Sequence, residues 1–310
     1  MKNNDLLHSK LFQLHTLSVA VDMSQASANA LVFGWKIAHK MGCNLEIVYA
    51  MDSIFEGTMP SASGFLSSYT KTMQSELDAF IQGTMNSVGV KYVPPAQIPG
   101  MPGLPTEDKD TPPKIFSKVI YGAPDVALTA YSRQTDLLVL GATGHGGLGK
   151  NLFGSVSNEV SRSAHCPVLF VSKEAEFTGF EHILYASDFD SINSLSVQQT
   201  VSFAQRFDAQ IHFVHVGPGG EKDLEKQRDS FEESFKATGY TKPFIFSKMV
   251  SDDIVGALYE YSFYHRIELM VFVTHHRAFW DNILHKSVTN EALASSDIPI
   301  LVIHSDDDLT

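Results

Sequence analysis

Cysteine, positive charge and long apolar runs are all scarce in this chain of 310 residues. Its two cysteines, Cys43 and Cys166, are too few for a disulfide framework. Both lie beside predicted strands, which favours buried free thiols, with a disulfide or redox pair as the alternative. The 23 lysines and arginines face 35 aspartates and glutamates, and the net charge of −12 argues against a nucleic-acid or anionic-membrane surface. No apolar run approaches the ~20 residues of a membrane span, so we expect a cytoplasmic protein.

The rest of the composition is that of an ordinary globular protein. Hydrophobic residues make up 44% and charged residues 19%, and the length suits about two domains. The acidic balance still allows a small anionic ligand, because backbone N–H groups at the start of a helix can hold phosphate without lysine.

Short segments of the first half of the chain recur in the second half in the same order. The matched pairs are residues 18–22 with 184–188, 115–118 with 245–248, 155–159 with 287–291, and 167–171 with 299–303. Duplication is the economical explanation for this shared order. It predicts two domains, residues 1–173 and 180–310, with a short linker near residues 172–181.

Apolar runs alternate with helical periodicity within each half. The predicted strands are residues 18–21, 45–50, 114–120, 137–140 and 168–171, then 182–187, 211–216, 244–249, 269–273 and 299–303. In the first half, helices are predicted to include residues 30–41, 65–88, 126–133 and 152–164. This alternation predicts an α/β protein with two tandem, doubly wound, five-stranded parallel-sheet domains. Such sheets bind ligands beyond the carboxyl ends of their strands, where the strand order reverses.

The first half also carries a Pro/Gly-rich insert near residues 93–113 that has no counterpart in the second half. Its composition predicts a flexible surface loop. A lid or docking segment over the site of the first half is the alternative.

A glycine-rich loop, GATGHGGLGKNLFGS from Gly141 onward, follows the fourth predicted strand. Two common phosphate motifs fit it poorly. The dinucleotide pattern GxGxxG from Gly144 belongs after a first strand and before an acid about twenty residues on, and neither condition is met here. The P-loop pattern GxxxxGK, also from Gly144, has Asn151 where a Mg²⁺-binding hydroxyl should stand.

A third pattern fits better: Gly141, two residues, Gly144, nine residues, then Gly154 and Ser155. It resembles the ATP-binding motif of universal stress proteins, and its place after the fourth strand is that of the family. The resemblance covers nearly the whole chain, twice over, and implies a universal-stress-protein-like, Rossmann-like fold. Gly141 and Gly144 would let the backbone approach the phosphates, while Gly154 and Ser155 would supply N–H and hydroxyl donors.

The resemblance implies a complete nucleotide site in the first domain. Asp22 would contact the ribose or adenine side, and an aspartate there is also expected as a helix N-cap. Other residues would line the base, flank the ribose or surround the phosphates. The full expected set is Ala20, Val21, Asp22, Ala50, Leu140, Gly141, Gly144, His145, Gly154, Ser155 and Val156.

The copy of this loop in the second half has lost its glycines. An ungapped alignment places Val273, His276 and Lys286 opposite the three motif glycines, while Ser287 and Asp188 remain. Side chains at those positions would crowd the space of a triphosphate. The second domain is therefore predicted to have a degenerate loop and to bind no ATP in the family manner.

Several side chains of the degenerate loop could in principle bind ions. The potential metal ligands are His275, His276, Asp281 and His285. Zinc needs about four converging ligands with suitable geometry, so we interpret the group as a polar loop that drifted after losing its ligand, and we expect no metal. Lys286 with Arg277 as a site for a smaller anion is the alternative.

The resemblance implies an ATP-binding protein of stress response or regulation, with ATP, with or without Mg²⁺, in the first domain only. One alternative is a slow ATPase or another nucleotide-dependent enzyme of the same fold. A scaffold that binds no nucleotide is the other. His145, Ser155 and Asp22 form no nucleophile–base–acid set, and a strong ATPase would need more carboxylates for Mg²⁺. We therefore assign no catalytic residue and expect at most weak hydrolysis.

Family dimers pair their final strands, here residues 168–171 and 300–303, across a two-fold axis. The resemblance therefore implies an intramolecular pseudo-dimer of the two domains, since an exposed strand edge otherwise needs a partner. A homodimer of two chains and an unidentified protein partner are left open.

Overall fold

The computed structural model of the protein describes seven stretches of the chain. They are residues 14–52, 62–94, 114–142, 154–187, 195–217, 240–273 and 297–304, with side chains from residue 68 in the second stretch. These residues group into two compact units, one from residue 14 to 175 and one from residue 176 to 304. Most of the Pro/Gly-rich insert, residues 95–113, lies outside the described residues.

The first unit alternates strands and helices throughout. Its elements are β1 (Thr16–Ala20), α1 (Gln25–Met41), β2 (Asn44–Met51), α2 (Ala62–Ser87), β3 (Ile115–Tyr121), α3 (Pro124–Tyr131), a 3-10 turn (Ser132–Gln134), β4 (Leu137–Ala142), α4 (Ser155–Ser163) and β5 (Val168–Ser172). The strands are parallel and lie in the order β3-β2-β1-β4-β5. The chain therefore moves outward from β1 in one direction and from β4 in the other, and a crevice is expected where these two strands end.

The second unit repeats this arrangement. Its described elements are β6 (His182–Ala186), α5 (Leu195–Phe207), β7 (Gln210–Val216), β8 (Ile245–Met249), α6 (Ile254–His265), β9 (Leu269–Val273) and β10 (Ile300–Ile303). Its parallel strands lie in the equivalent order, β8-β7-β6-β9-β10. The predicted fold class, α/β with doubly wound five-stranded parallel sheets, is confirmed. Among the residues described, no helix is long and apolar enough to cross a membrane.

Both cysteines lie in the apolar interior of the first unit. Cys43 and Cys166 are free and buried, so the predicted buried thiols are confirmed. Burial raises the pKa of each thiol to about 12. A thiol that stays protonated at neutral pH is a poor nucleophile and metal ligand, so the two cysteines serve packing.

The strands β3 and β8 share the sequence IFSK but differ in register. Val48 and Val214 are equivalent positions, because each carbonyl accepts a 2.9 Å hydrogen bond from the residue that follows the neighbouring strand. Lys118 pairs with Val48 itself, whereas Lys248 pairs with His215, one residue beyond Val214. The strand β8 is therefore shifted by one residue along its neighbour.

This shift turns the shared side chains to opposite faces of the two sheets. The Oγ of Ser117 donates to Oδ1 of Asp78 on α2 at 2.7 Å. The Oγ of Ser247 instead lies 3.0 Å from the hydroxyl of Tyr261 on α6, the helix equivalent to α3. One of the segment pairs that indicated duplication is therefore not equivalent in structure.

Helix α1 packs directly onto the centre of the first sheet. Its N-cap is Ser24, whose Oγ accepts from the N–H of Ser27 at 3.2 Å, and it ends at Gly42, which has a φ of 68° that favours glycine. At mid-helix, a Cβ on Gly34 would lie 2.3 Å from Cγ2 of Val19, a fully buried residue of β1. The approach of α1 to β1 therefore depends on the absence of a side chain at residue 34.

The substitution Gly34→Ala is expected to lower the free energy of unfolding by ~1–3 kcal/mol through overpacking. Gly83→Ala is the matched control, because Gly83 also lies within a helix but a Cβ there would meet nothing within 4 Å. That control should stabilise by ~0.5–1 kcal/mol, since alanine loses less backbone entropy in a helix. Urea denaturation of both variants measures the difference. Equal effects would contradict the close packing of α1 on β1.

Candidate nucleotide site

The candidate site lies at the carboxyl ends of β1 and β4, the adjacent central strands of the first unit. Ala20 pairs with Leu140 in the register of these two strands, so both residues reach the crevice together. Ala20, Val21 and Leu140 are 7%, 6% and 4% exposed. They form the floor of the crevice and offer little side-chain surface.

On β2, the neighbouring strand, Ala50 lies near the same edge of the sheet and is half-buried. The backbone N–H of Val21 donates to the carbonyl of Val48 at 2.9 Å, so it is not available to a ligand. Polar contacts from this part of the floor would therefore come from the Val21 carbonyl and from the backbone of residues farther along β2.

Asp22 lies in the tight turn between β1 and α1. Its Oδ1 accepts from the N–H of Ser24 at 3.0 Å, and Met23 between them has a φ of 62°. The expectation that Asp22 is the N-cap was wrong: Ser24 caps the helix, and Asp22 shapes the turn before it. The aspartate side chain remains exposed at the rim of the crevice.

The carboxylate of Asp22 is held in its ionised form. Partial burial raises its pKa, but hydrogen bonds from Ser24 and Ser27 outweigh that effect, and the net pKa lies below the ordinary value. At neutral pH the group is therefore an acceptor for hydroxyl or amino donors, and its charge would repel phosphate. Such a carboxylate suits the sugar or base of a nucleotide better than its phosphates.

Tyr49 is a neighbour of Asp22 that the sequence interpretation missed. It precedes Ala50 on β2 and is half-buried. Burial raises its pKa, and negative charge on Tyr69, Glu76 and Asp22 raises it further. The phenol therefore stays protonated beside the crevice. An aromatic residue directly before the expected base contact was the available signal.

Gly141, the first glycine of the loop motif, is required by helix packing. A Cβ on Gly141 would lie 2.7 Å from the carbonyl carbon of Ala26 and 2.8 Å from the nitrogen of Ser27. Both atoms belong to the backbone of the first turn of α1, which has no room to yield. The close approach that this glycine permits in the described residues is thus to α1, where the sequence interpretation had assigned it to phosphate.

Gly154 lies at the other end of the loop, as the N-cap of α4. Its backbone is extended, with φ −70° and ψ 173°, and it offers no side chain to cap the helix. A Cβ there would meet nothing within 4 Å, and the following Ser155 is exposed while Val156 is half-buried. Within the part of the chain that the structure describes, no side chain caps the N–H groups of this first turn.

The remaining predicted site residues lie outside the described residues. They are Gly144 and His145 in the first loop, and Asp188, His275, His276, Arg277, Asp281, His285, Lys286 and Ser287 in the second half.

In the second unit, the equivalent strand ends carry different side chains. Gly141 pairs with Val171, and Val273 pairs with Ile303 in the equivalent strand pair, so Val273 occupies the position of Gly141. A side chain therefore stands where the first unit has none. His215 occupies the position of Tyr49, with its Nδ1 2.9 Å from the carbonyl oxygen of Ser187.

The family model of the universal stress protein family matches residues 14–172, which is half of the chain and includes the whole crevice. The chain belongs to this family. A universal stress protein of Mycobacterium tuberculosis is 24% identical over 203 residues, or 61% of this chain and 68% of the relative.

Solved structures extend the likeness of this universal stress protein to both units. The crystal structure of a universal stress protein from Archaeoglobus fulgidus covers 94% of this chain and 99% of its own, with a TM-score of 0.62 and 15% identity. A universal stress protein solved in complex with cAMP covers 52% of this chain and 98% of its own, with a TM-score of 0.34 and 20% identity. The first of these matches shows the fold.

The two glycines that frame the loop should respond differently to alanine. Gly141→Ala is expected to lower the free energy of unfolding by at least about 2 kcal/mol, because the new Cβ must displace the backbone of α1. Gly154→Ala is the control and should change it by less than about 1 kcal/mol, since its surroundings are open. Urea denaturation distinguishes the two, and similar losses would contradict the packing role of Gly141.

Proposed function

We propose that this universal stress protein binds one ATP per chain, in the first unit, and acts in stress response or regulation. The observation that carries the proposal is the meeting of β1 and β4 at the point where the strand order reverses. Asp22 follows the first of these strands, and the loop to α4 follows the second. A nucleotide needs a hydrogen-bond acceptor for its sugar and donors for its phosphates. The residues that would supply them follow two adjacent strands at the same edge of the sheet.

The phosphate end of the nucleotide would lie at the first turn of α4. The N–H groups at the start of a helix carry partial positive charge, and they bind phosphate without help from lysine. Gly154 leaves those groups uncovered, and Ser155 adds a hydroxyl. This chemistry is compatible with a chain whose net charge is −12.

The ribose end would lie at Asp22. Its ionised carboxylate is a stronger acceptor for the ribose hydroxyls than a neutral group would be. The base would then lie over the floor formed by Ala20 and Val21, with backbone groups of Ala50 near its edge. Gly144 and His145 complete the proposed set at the phosphates.

The second unit is proposed to bind no ATP in this manner. Val273 puts a side chain where Gly141 has none, and in the first unit a Cβ at that position would displace the backbone of α1. The loss of the first motif glycine is therefore expected to disfavour the binding mode proposed for the first unit.

The substitution Gly154→Lys, copied from the second half of the chain, is expected to weaken ATP binding by tenfold or more. The long side chain would occupy the space in front of α4, where nothing lies within 4 Å of an added Cβ. Isothermal titration of the full chain with ATP, ADP, AMP and cAMP measures affinity and stoichiometry, and phosphate release is followed in parallel.

Gly83→Lys is the matched control, because it makes the same change at an exposed and open position of α2. It should bind one ATP per chain with unchanged affinity. Two ATP per chain, or undiminished affinity in Gly154→Lys, would overturn the assigned site.

Asp22→Asn tests the sugar side separately. Asparagine keeps an Oδ1 that can accept from the N–H of Ser24, so the turn should persist while the charge is lost. Because hydrogen bonds to charged groups are worth ~1.5–3 kcal/mol, we expect roughly a tenfold loss of ATP affinity with little change in stability.

Asp208→Asn in the second unit is the control for loss of charge. Asp208 has a φ of 54°, a conformation that asparagine tolerates well, and its side chain is 85% exposed. It should leave ATP affinity unchanged. An equal effect of the two substitutions would mean that Asp22 acts only through the net charge of the protein.

A further inference from the structure

A cluster of titratable side chains joins α6 to the sheet of the second unit, away from the strand ends of the candidate site. We call it the histidine cluster, and it consists of His182 on β6, His212 on β7, Ser247 on β8, and Tyr261 and His265 on α6. His212 lies at its centre and is 2% exposed.

Both ring nitrogens of His212 are engaged. Its Nε2 lies 3.1 Å from Nδ1 of His182, and its Nδ1 lies 3.0 Å from the hydroxyl of Tyr261. That hydroxyl lies 3.0 Å from Oγ of Ser247. The ring of His265 stacks on Tyr261, with centroids 4.0 Å apart, and lies 5.6 Å from the ring of His212.

This chain of contacts is satisfied when both central imidazoles are neutral. Ser247 then donates to Tyr261, Tyr261 donates to Nδ1 of His212, and Nε2–H of His212 donates to Nδ1 of His182. One extra proton on His182 reverses every bond: His182 donates to His212, His212 donates to Tyr261, and Tyr261 donates to Ser247. The network therefore holds one extra proton without losing a contact.

A second extra proton has no such solution. With both imidazoles cationic, an N–H of His182 faces an N–H of His212 across 3.1 Å, and neither finds an acceptor there. Burial lowers the pKa of His212 to about 4, and charge on His182 and His265 lowers it in the same direction. The folded cluster thus resists a charge that an open, hydrated cluster would accept.

The other charged groups around the cluster do not offset this charge. Arg266 follows His265, and Lys248 follows Ser247, and both are positive. Glu268, directly before β9, accepts from backbone N–H groups of Glu181 and His182. Its charge is not among those that shift the pKa of His212, which are the charges of His182 and His265. Glu260 on α6 is exposed to solvent.

The equivalent cluster of the first unit is built from different chemistry. Glu46 pairs with Ser18 as His212 pairs with Leu184, so Glu46 occupies the position of His212. The hydroxyl of Tyr131 on α3 donates to Glu46, and Nζ of Lys118 lies 4.0 Å from the same carboxylate. This cluster uses a carboxylate and a lysine in place of imidazoles, which makes α3 an internal control for α6.

We propose that the histidine cluster makes the packing of α6 on its sheet acid-sensitive, so that mild acidification releases α6 while α3 of the first unit stays packed. The inference is independent of nucleotide binding, because it concerns side chains of the second unit alone. It gives the unit that has lost the phosphate motif a separate role, as a proton-responsive element.

The direction of the pH effect follows from the number of protons that the packed and the released states of α6 bind. Between the pKa of buried His212, about 4, and that of a hydrated histidine, about 6.5, the released state binds more protons than the packed state. Packing of α6 is therefore favoured above this window and weakened as the pH falls through it. From about pH 7 to about pH 5, these values give a rise of about 20-fold in the opening constant of α6.

Amide hydrogen exchange of the full chain, read by mass spectrometry and corrected for the intrinsic rate at each pH, measures this opening. Peptides that cover residues 254–265 report on α6, and peptides that cover residues 124–131 report on α3. We expect the opening constant of α6 to rise about 20-fold and that of α3 to change less than about threefold. No rise in α6, or an equal rise in both helices, would overturn the proposal.

His212→Gln removes the buried imidazole and keeps a side chain that hydrogen-bonds, so the opening constant of α6 should no longer depend on pH in this range. His215→Gln is the matched control, since His215 lies on the same strand but bonds to the carbonyl of Ser187. It should keep the wild-type pH response.

Exchange at about pH 7 shows whether His212→Gln retains the packed helix. If α6 is already released from the sheet in that variant at neutral pH, His182→Gln is the test instead. It removes the imidazole that faces His212 and should reduce the pH dependence of the opening constant of α6. A wild-type response in whichever of the two variants is packed at neutral pH would overturn the proposal, as would loss of the response in His215→Gln.

Discussion

The backbone of α1 lies directly against the end of β4, and the candidate site depends on that contact. Gly141 permits it, because a Cβ there would lie 2.7 Å from the backbone of Ala26. The contact fixes where α1 begins, and Ser24 caps the helix at that point. The turn that carries Asp22 is held between β1 and this fixed helix start. Gly141, a glycine of the proposed phosphate loop, thus determines the position of Asp22.

The two units show which parts of a duplicated domain can change without loss of the fold. The strand order is the same in both, because buried apolar strands and backbone pairing determine it. Two differences fall on a small and a charged residue of these strands: Val273 stands at the position of Gly141, and His212 at the position of Glu46. Each change alters local chemistry, either a backbone contact or a titrating group, while the sheet persists.

Hydrophobic periodicity was sufficient to predict the ten strands to within two residues at each end, because buried parallel strands are continuous apolar runs. It was not sufficient for register. The four residues IFSK fit either face of a sheet, since a strand turns one apolar and one polar residue of this segment to each face. The partner strand and helix decide which pair faces which side. Sequence identity between β3 and β8 therefore overstated their equivalence.

The candidate site shows the same division. Its location after β1 and β4 followed from the strand order and the loop motif, but the role of each residue depended on tertiary contacts that spacing does not encode. Glycines 141 and 154 are alike in the motif, yet a Cβ on the first would meet the backbone of α1, and one on the second would meet none of the described residues within 4 Å. Likewise, a serine two residues after Asp22 caps the helix, because the turn places its side chain, rather than the acid, over the free N–H groups.

Two separate properties in one chain need not be coupled. A ligand shifts a conformational equilibrium only by the difference in its affinity for the two states. ATP in the first unit would therefore affect the packing of α6 only if the first unit binds ATP differently when α6 is released. The differences between the units favour independent roles: the first unit has glycines at both ends of its loop, and the second has the buried imidazole. ATP affinity measured at about pH 7 and at about pH 5, in wild type and in His212→Gln, separates coupled from independent properties. If the two are coupled, the part of the pH dependence of ATP affinity that arises from the release of α6 is lost in His212→Gln; if they are independent, the substitution leaves that pH dependence unchanged.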